Sequence, residues 1–188
     1  MPEAYLSTPL LFLIDTLFGI YIAIVALRII MQWAQWEYHN PIVQMIIRLT
    51  QIPVKSLRRF IPPVGNWDTA TIVLLFALTF IKLFLINILQ PAAIPASYFL
   101  GWLLADIFSL FTTLFTASII IQVVLSWITP PNNYNPVSPL VYAMNKPILR
   151  PFQRLFPPLG GIDLSPLFAI LAIQVLVMLV VPILTGHV

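Results

Sequence analysis

The chain has no cysteine among its 188 residues. Disulfides, thiolate metal sites, covalent c-type haem attachment and cysteine nucleophiles are therefore excluded. Charge is almost as scarce: Asp, Glu, Lys and Arg make up 8% of the chain, against roughly 25% in an ordinary soluble domain. No HExxH pattern, glycine-rich phosphate loop or GxSxG elbow occurs. The chain is expected not to be an enzyme, and no metal or cofactor is implied. His39 and His187 are expected on opposite sides of a membrane, too far apart to share a ligand.

What is present is apolar. Hydrophobic residues make up 60% of the chain, and the mean hydropathy is +0.98. Such a chain cannot cover itself with polar surface, so it is an integral membrane protein. A span needs about 20 apolar residues, and four stretches supply them: Pro9 to Met31, Thr69 to Leu89, Tyr98 to Trp127 and Leu164 to Leu184. Ser7 or Thr8 ahead of Pro9 predicts a helix start there. Trp33, Trp36 and Tyr38 follow the first span as an aromatic belt. The N-terminus lacks the basic region of a signal peptide, so the first span is expected to be retained.

Two stretches are too polar to span. In residues 41–59, Ile42, Met45, Ile46, Leu49, Ile52 and Leu57 fall on one helical face, with Gln44, Arg48, Gln51, Lys55 and Arg59 mainly on the other. This predicts a helix lying in the interface, apolar side down and cations toward headgroups. Pro53 is expected to break or kink it. Residues 136–154 repeat the pattern, and Pro139, Pro147 and Pro151 predict a more broken helix.

These stretches belong to an internal duplication. Asn40 to Asp68 aligns with Asn135 to Asp163 at an offset of 95, with seven identities in 29 positions. The identities include Asn40/Asn135, Arg59/Arg154, Pro62/Pro157, Gly65/Gly160 and Asp68/Asp163. Upstream the offset becomes 94, where LRIIMQW faces IQVVLSW. The expected architecture is an all-α membrane protein with four transmembrane helices. They form two parallel repeats, each span, amphipathic interfacial helix, span. The first covers 6–90 with interfacial helix 41–59, and the second 97–185 with interfacial helix 136–154. Two spans per repeat is an even number, so both repeats enter from one side, unlike the inverted repeats of many transporters.

Orientation follows from the cations. The loop after the first span holds Arg48, Lys55, Arg58 and Arg59, and the loop after the third holds Lys146, Arg150 and Arg154. The tails and the central linker hold none. The positive-inside rule puts both basic loops in the cytoplasm and both termini outside. The seven cations are candidate contacts for anionic lipid or a partner surface, each worth roughly 1 kcal/mol near an anionic leaflet. Topology alone is the plainer account of them. Asn40 and Asn135 are expected helix starts. The PPxG runs (Pro62 to Gly65, Pro157 to Gly160) are tight returns to the membrane. Asp68 and Asp163 are expected N-caps of the following spans.

Four charges lie in the apolar runs: Asp15, Arg28, Lys82 and Asp106. At ~1.5 Å rise per residue, Asp15 is roughly 27 Å from Trp33 and Lys82 roughly 21 Å from Asp68. Both lie in the half away from the basic loops, so Lys82 is expected to pair with Asp15 or Asp106. A structural pair and a proton or cation path are both open readings. Arg28 is close enough to Trp33 to snorkel to the cytoplasmic headgroups. Asn87, Gln122 and Gln174 are candidates for interhelical hydrogen bonds.

LRIIMQW, the Asn40-Pro41 start, LRRFIPP and its echo in Pro147 to Asp163 resemble the YggT family of bacterial membrane proteins, which has relatives in plastids. The departures are Pro53 where the pattern has proline at Ile52, and Ser56 opposite Pro151. Within the duplication, Gln122 replaces Arg28 and Gln153 replaces Arg58. The resemblance implies a multi-spanning bacterial inner-membrane protein associated with osmotic or envelope stress tolerance. Plastid relatives are associated with assembly of membrane complexes, including haem insertion into a cytochrome. Two functions are expected as alternatives. One is a non-enzymatic accessory or assembly protein that engages anionic lipid or a membrane-protein partner through its basic helices. The other is a small channel or ion-transport component, a homo-oligomer with Asp15, Lys82 and Asp106 near its path. No nucleic-acid partner is expected.

Overall fold

In hydrocarbon no water is at hand for bare amides, so a chain this apolar closes its hydrogen bonds within helices. The structure, a computed structural model, describes residues 2–65, 67–90, 94–128, 135–155 and 163–186. Six helices occur among them: α1 (Pro2–Trp33), α2 (Pro41–Leu57), α3 (Thr69–Leu89), α4 (Phe99–Ile128), α5 (Ser138–Leu155) and α6 (Ser165–Thr185). Four segments are long and apolar enough to cross a membrane: Thr8–Trp33, Thr69–Leu89, Phe99–Ile128 and Ser165–Thr185. The protein is a multi-pass membrane protein.

The helices pack as two triples. In the first, α1 lies against α3 and α2; in the second, α4 lies against α6 and α5. Contacts of α3 and α1 with α4 join them. One buried cluster, around Val25, Leu75, Leu103 and Ile107, links α1, α3 and α4. Another draws Val43 and Ile46 of α2 against Leu140 and Met144 of α5. Large apolar side chains such as Phe12, Leu17, Ile88, Leu171 and Met178 point outward, as a lipid-facing surface requires. In lipid, helices associate through close packing rather than through burial from water. Gly101 shows this: a Cβ there would lie 1.9 Å from the carbonyl oxygen of Leu184, so α4 approaches α6 backbone to backbone.

Several sequence expectations are corrected. The first helix begins at Pro2 and runs through Pro9, so Ser7 and Thr8 do not start it. Prolines are tolerated within spans because neighbouring groups re-satisfy the freed carbonyls. Pro53 does not break α2, and Pro147 and Pro151 lie inside an unbroken α5. At Pro53 the compensation is visible. Its missing N–H leaves the Leu49 carbonyl without its usual helical donor, and the Tyr21 hydroxyl donates to that oxygen at 3.4 Å.

The inward face of α2 is a second apolar face beside the one read from the sequence. Val43, Ile46, Thr50 and Val54 are buried, whereas Met45, Leu49 and Ile52 are exposed. The helix therefore carries two apolar faces, one taken by the bundle and one left outward.

Asn40 is the N-cap of α2, its Oδ1 accepting from the Ile42 amide at 2.9 Å, with Pro41 next in the first turn. Asn135 makes the same bond with the Val137 amide at 2.9 Å, but α5 begins only at Ser138. After α2 the PPVG turn closes tightly: Trp67 N donates to Val64 O at 3.2 Å, and Thr69 Oγ1 to Pro62 O at 2.7 Å. Gly65 sits there at φ +60°, in the left-handed region that favours glycine. The matching Pro157 and Gly160, and His187, lie outside the described residues.

Candidate functional site

Two polar constellations sit at opposite ends of the bundle. The first lies where α1, α2 and α3 meet; nearby, Trp36, expected in an aromatic belt, is instead buried against Val43, Ile46 and Met144. Arg28 does not snorkel outward. It is buried, its Nη1 donates to Thr50 Oγ1 at 2.7 Å, and its Nη2 lies 3.9 Å from Asp68 Oδ2. Distance along α1 put Arg28 within reach of headgroups, but α2 folds beneath it and supplies nearer partners. Arg58 grips the same carboxylate side-on, Nε to Oδ1 at 3.2 Å and Nη2 to Oδ2 at 2.5 Å. Thr71 Oγ1 adds a bond at 2.7 Å to Oδ2, and the Asp68 amide donates to Gln32 Oε1 at 3.3 Å.

Asp68 thus stands at the N-cap position of α3 but does not cap it with its side chain. Its carboxylate is spent on Arg58 and Thr71. Burial alone would push its carboxyl up, but the bonds from Arg58 and Thr71 and the charges of Arg58 and Arg28 outweigh this and hold it below the usual range. Arg58 is held above its ordinary value chiefly by its hydrogen bond to Asp68. Of the seven candidate surface cations, Arg58 is therefore the one already committed within the protein, although 48% of its side chain stays exposed.

The second triple has a neutral counterpart. Asn145, fully buried, donates through Nδ2 to Gln122 Oε1 at 2.9 Å and accepts from Ser118 Oγ at 2.6 Å. Gln153 Nε2 reaches Asp163 Oδ2 at 3.1 Å, where Arg58 reaches Asp68. Asp163 lies one residue before the N-cap Leu164 and accepts from the Ser165 amide at 2.8 Å. Burial would raise its carboxyl too, but the bonds from Ser165 and Gln153 leave it lowered.

Thr50, Thr71, Gln32, Ser118 and Asn145 were not singled out from the sequence. Thr50 and Asn145 had a signal: they align in the duplication as polar residues on an otherwise apolar face. Gln122 does bond between helices, Asn87 accepts from the Ile94 amide in the linker, and Gln174 is exposed.

The other cations of this end, Arg48, Lys55 and Arg59 beside α2 and Lys146, Arg150 and Arg154 on α5, are exposed. The starts of α2 and α5 are tied together, Asn40 Nδ2 donating to Pro136 O at 2.7 Å. Both sets of cations therefore belong to one end of the bundle.

The second constellation lies at the opposite end. Lys82 Nζ is 2.7 Å from Asp106 Oδ2 and 3.5 Å from Asp15 Oδ1. The expected pairing of Lys82 with one carboxylate is met by both. Lys82 is buried, 8% of its side chain exposed, while Asp15 is 66% exposed. A cavity of about 280 Å³ adjoins them, lined also by Ser109 and Thr113. Among the described residues, no three His, Asp or Glu side chains gather closely enough to hold a metal ion.

The CCB3/YggT family model matches residues 7–89 and again 101–184. The chain belongs to the CCB3/YggT family. It is similar to an uncharacterized protein of Pseudomonas aeruginosa, 38% identical over 94% of this chain and 90% of the relative. It is 31% identical to the uncharacterized protein YggT of Escherichia coli K12, over 95% of this chain and 93% of the relative. A shorter match, 33% identical over 44% of this chain and 32% of the relative, is to YlmG homolog protein 2, chloroplastic, of Arabidopsis thaliana. No solved structure matches the chain. In this CCB3/YggT protein the two matched segments separate the charged constellation from its neutral counterpart: Arg28 and Asp68 fall in the first, Gln122 and Asp163 in the second.

Proposed function

We propose that this protein is a non-enzymatic accessory or assembly protein of the bacterial inner membrane. It engages anionic lipid headgroups, or an acidic partner surface, through two basic interfacial helices. The chain is two parallel repeats, 6–90 and 97–185, each span, interfacial helix, span. The basic helices face the cytoplasm, and both termini lie outside. Its proposed cellular role is support for osmotic or envelope stress tolerance.

One observation carries the reading. Arg48, Lys55 and Arg59 stand beside the outward apolar residues Met45, Leu49, Ile52 and Phe60, and Lys146, Arg150 and Arg154 stand beside Tyr142 and Leu155, all exposed. An apolar strip flanked by cations suits the boundary between acyl chains and anionic headgroups. The test is lipid enrichment around the purified protein in nanodiscs of mixed anionic and zwitterionic lipid. The six exposed cations changed to Gln should abolish the enrichment, with orientation checked separately because these cations also set topology. Equal enrichment in the sixfold variant would remove the headgroup reading.

A second reading, a small oligomeric ion-transport component, is favoured by the assembled Asp15, Lys82 and Asp106 beside a cavity. Ion flux in proteoliposomes that disappears in Lys82→Leu would establish it.

A further inference from the structure

The Lys82 cluster joins the two triples as well as sitting beside a cavity. Asp15 and Lys82 come from α1 and α3, and Asp106 comes from α4. Lys82 is therefore an ionic tie from the first triple to the second, next to the Phe80–Phe99 ring contact at 5.3 Å, also between α3 and α4. The cluster holds two carboxylates and one ammonium, a net charge of −1 when all are ionised.

Two cavities share Asp15. One, about 280 Å³, holds Lys82, Asp106, Ser109 and Thr113; the other, about 330 Å³, reaches Gln90, the residue that ends α3. Asp15 thus has access toward the Gln90 end. On its inner side the first cavity meets Ile22 and Leu110, which belong to the apolar core around Val25 and Leu75.

We propose that Asp15, Lys82 and Asp106 form a proton-binding clasp, loaded from the Gln90 end, that holds the two triples together there. The chemistry is a simple balance. Each proton taken up converts a carboxylate to a carboxylic acid and removes one anionic partner of Lys82. One proton leaves the cluster neutral, and a second leaves Lys82 with no counterion. The clasp is fully formed at a pH where both carboxylates are ionised and is lost as pH falls.

The ionisable groups lining the two cavities are Asp15 from α1, Lys82 from α3 and Asp106 from α4. The α6 sequence contains no ionisable residue. Tyr98 lies ~12 Å from Asp106 by helical rise, and Tyr21 on α1 is turned to Leu49 of α2. The inference stands apart from the headgroup reading, and it differs from transport because nothing crosses.

The absence of native cysteine makes the test direct. Spin labels are placed through Ile88→Cys on α3 and Leu100→Cys on α4, both exposed at this end. The distance between them is read in nanodiscs at about pH 7.5 and about pH 4, above and at the usual carboxylate range. The acid distribution should lengthen or broaden by roughly 2 Å, the size of a helix shift. The Asp15→Asn/Asp106→Asn variant should show the acid distribution at both values. Lys82→Arg, which keeps the cation, should retain the response. A pH-independent distance in the otherwise unaltered protein would overturn the proposal. So would an undiminished response in the double Asn variant. The first arm is decisive even if that variant fails to fold.

Discussion

Arg28 of α1 donates a 2.7 Å hydrogen bond to Thr50 of α2. In the second triple Asn145 of α5 donates to Gln122 of α4 at 2.9 Å. These are matching positions of the duplication, 94 residues apart for the Arg/Gln pair and 95 for the Thr/Asn pair. The tie between long helix and amphipathic helix is kept, but charged in one half and neutral in the other. A buried charge needs a counter-charge, and Asp68 supplies it to Arg28. The neutral tie needs none, and Asp163 is left to Gln153 and Ser165.

Asp68→Asn should therefore be far more damaging than Arg28→Gln. The first leaves a buried guanidinium without its counterion, a loss of about 3–5 kcal/mol. The second copies Gln122 and still leaves Asp68 to Arg58, so it should cost about 1–2 kcal/mol. Thermal unfolding in detergent reads the difference, and equal losses would contradict the assignment of Asp68 as the shared anion.

The same carboxylate gives a pH dependence. The folded Asp68 is held below its ordinary value. Its stabilisation is present above the unfolded value of about 3.9 and is lost as pH falls through the lower, folded one. Melting temperature should drop with acid below about pH 4, and Asp68→Asn should flatten that part of the decline. A decline as steep in Asp68→Asn as in the unaltered protein would count against it.

Tyr21 and Pro53 should be coupled. Tyr21→Phe removes the donor that reaches the Leu49 carbonyl across 3.4 Å, at a cost of about 0.5 kcal/mol. In a Pro53→Ala background the restored amide reaches the same oxygen, and the Tyr21 change should cost nothing. A double-mutant cycle measures the coupling, and a coupling of zero would refute the compensation.

Gly101→Ala should loosen α4 from α6, because the new Cβ would lie 1.9 Å from Leu184 O. Overpacking of this kind costs about 1–3 kcal/mol. Gly19→Ala, with nothing within 4 Å, should be neutral or slightly stabilising. Unfolding of the two variants side by side checks the contrast.

Much of this was legible in the sequence, for identifiable reasons. A span declares itself by length and hydropathy, so all four were located to within a few residues at most ends. Lys82 was matched to Asp15 and Asp106 because helical rise alone sets depth. For Arg28 depth was not enough. Arg28 lay near the interface by distance, but its fate depended on α2 folding beneath it. Pro53 looked like a break because the donor that compensates for it, Tyr21, is 32 residues away in sequence. The inward face of α2, Val43, Thr50 and Val54 beside Ile46, was not read, because the more apolar outward face dominates the periodicity.

The central claim is that both basic helices occupy one membrane face. The cysteine-free chain allows single cysteines at Lys55, Lys146 and Ser97, labelled in intact cells with a membrane-impermeant maleimide. The account predicts that Ser97→Cys reacts from outside, while Lys55→Cys and Lys146→Cys are both shielded until the membrane is opened. Reaction of the Lys55 and Lys146 positions from opposite sides would contradict it.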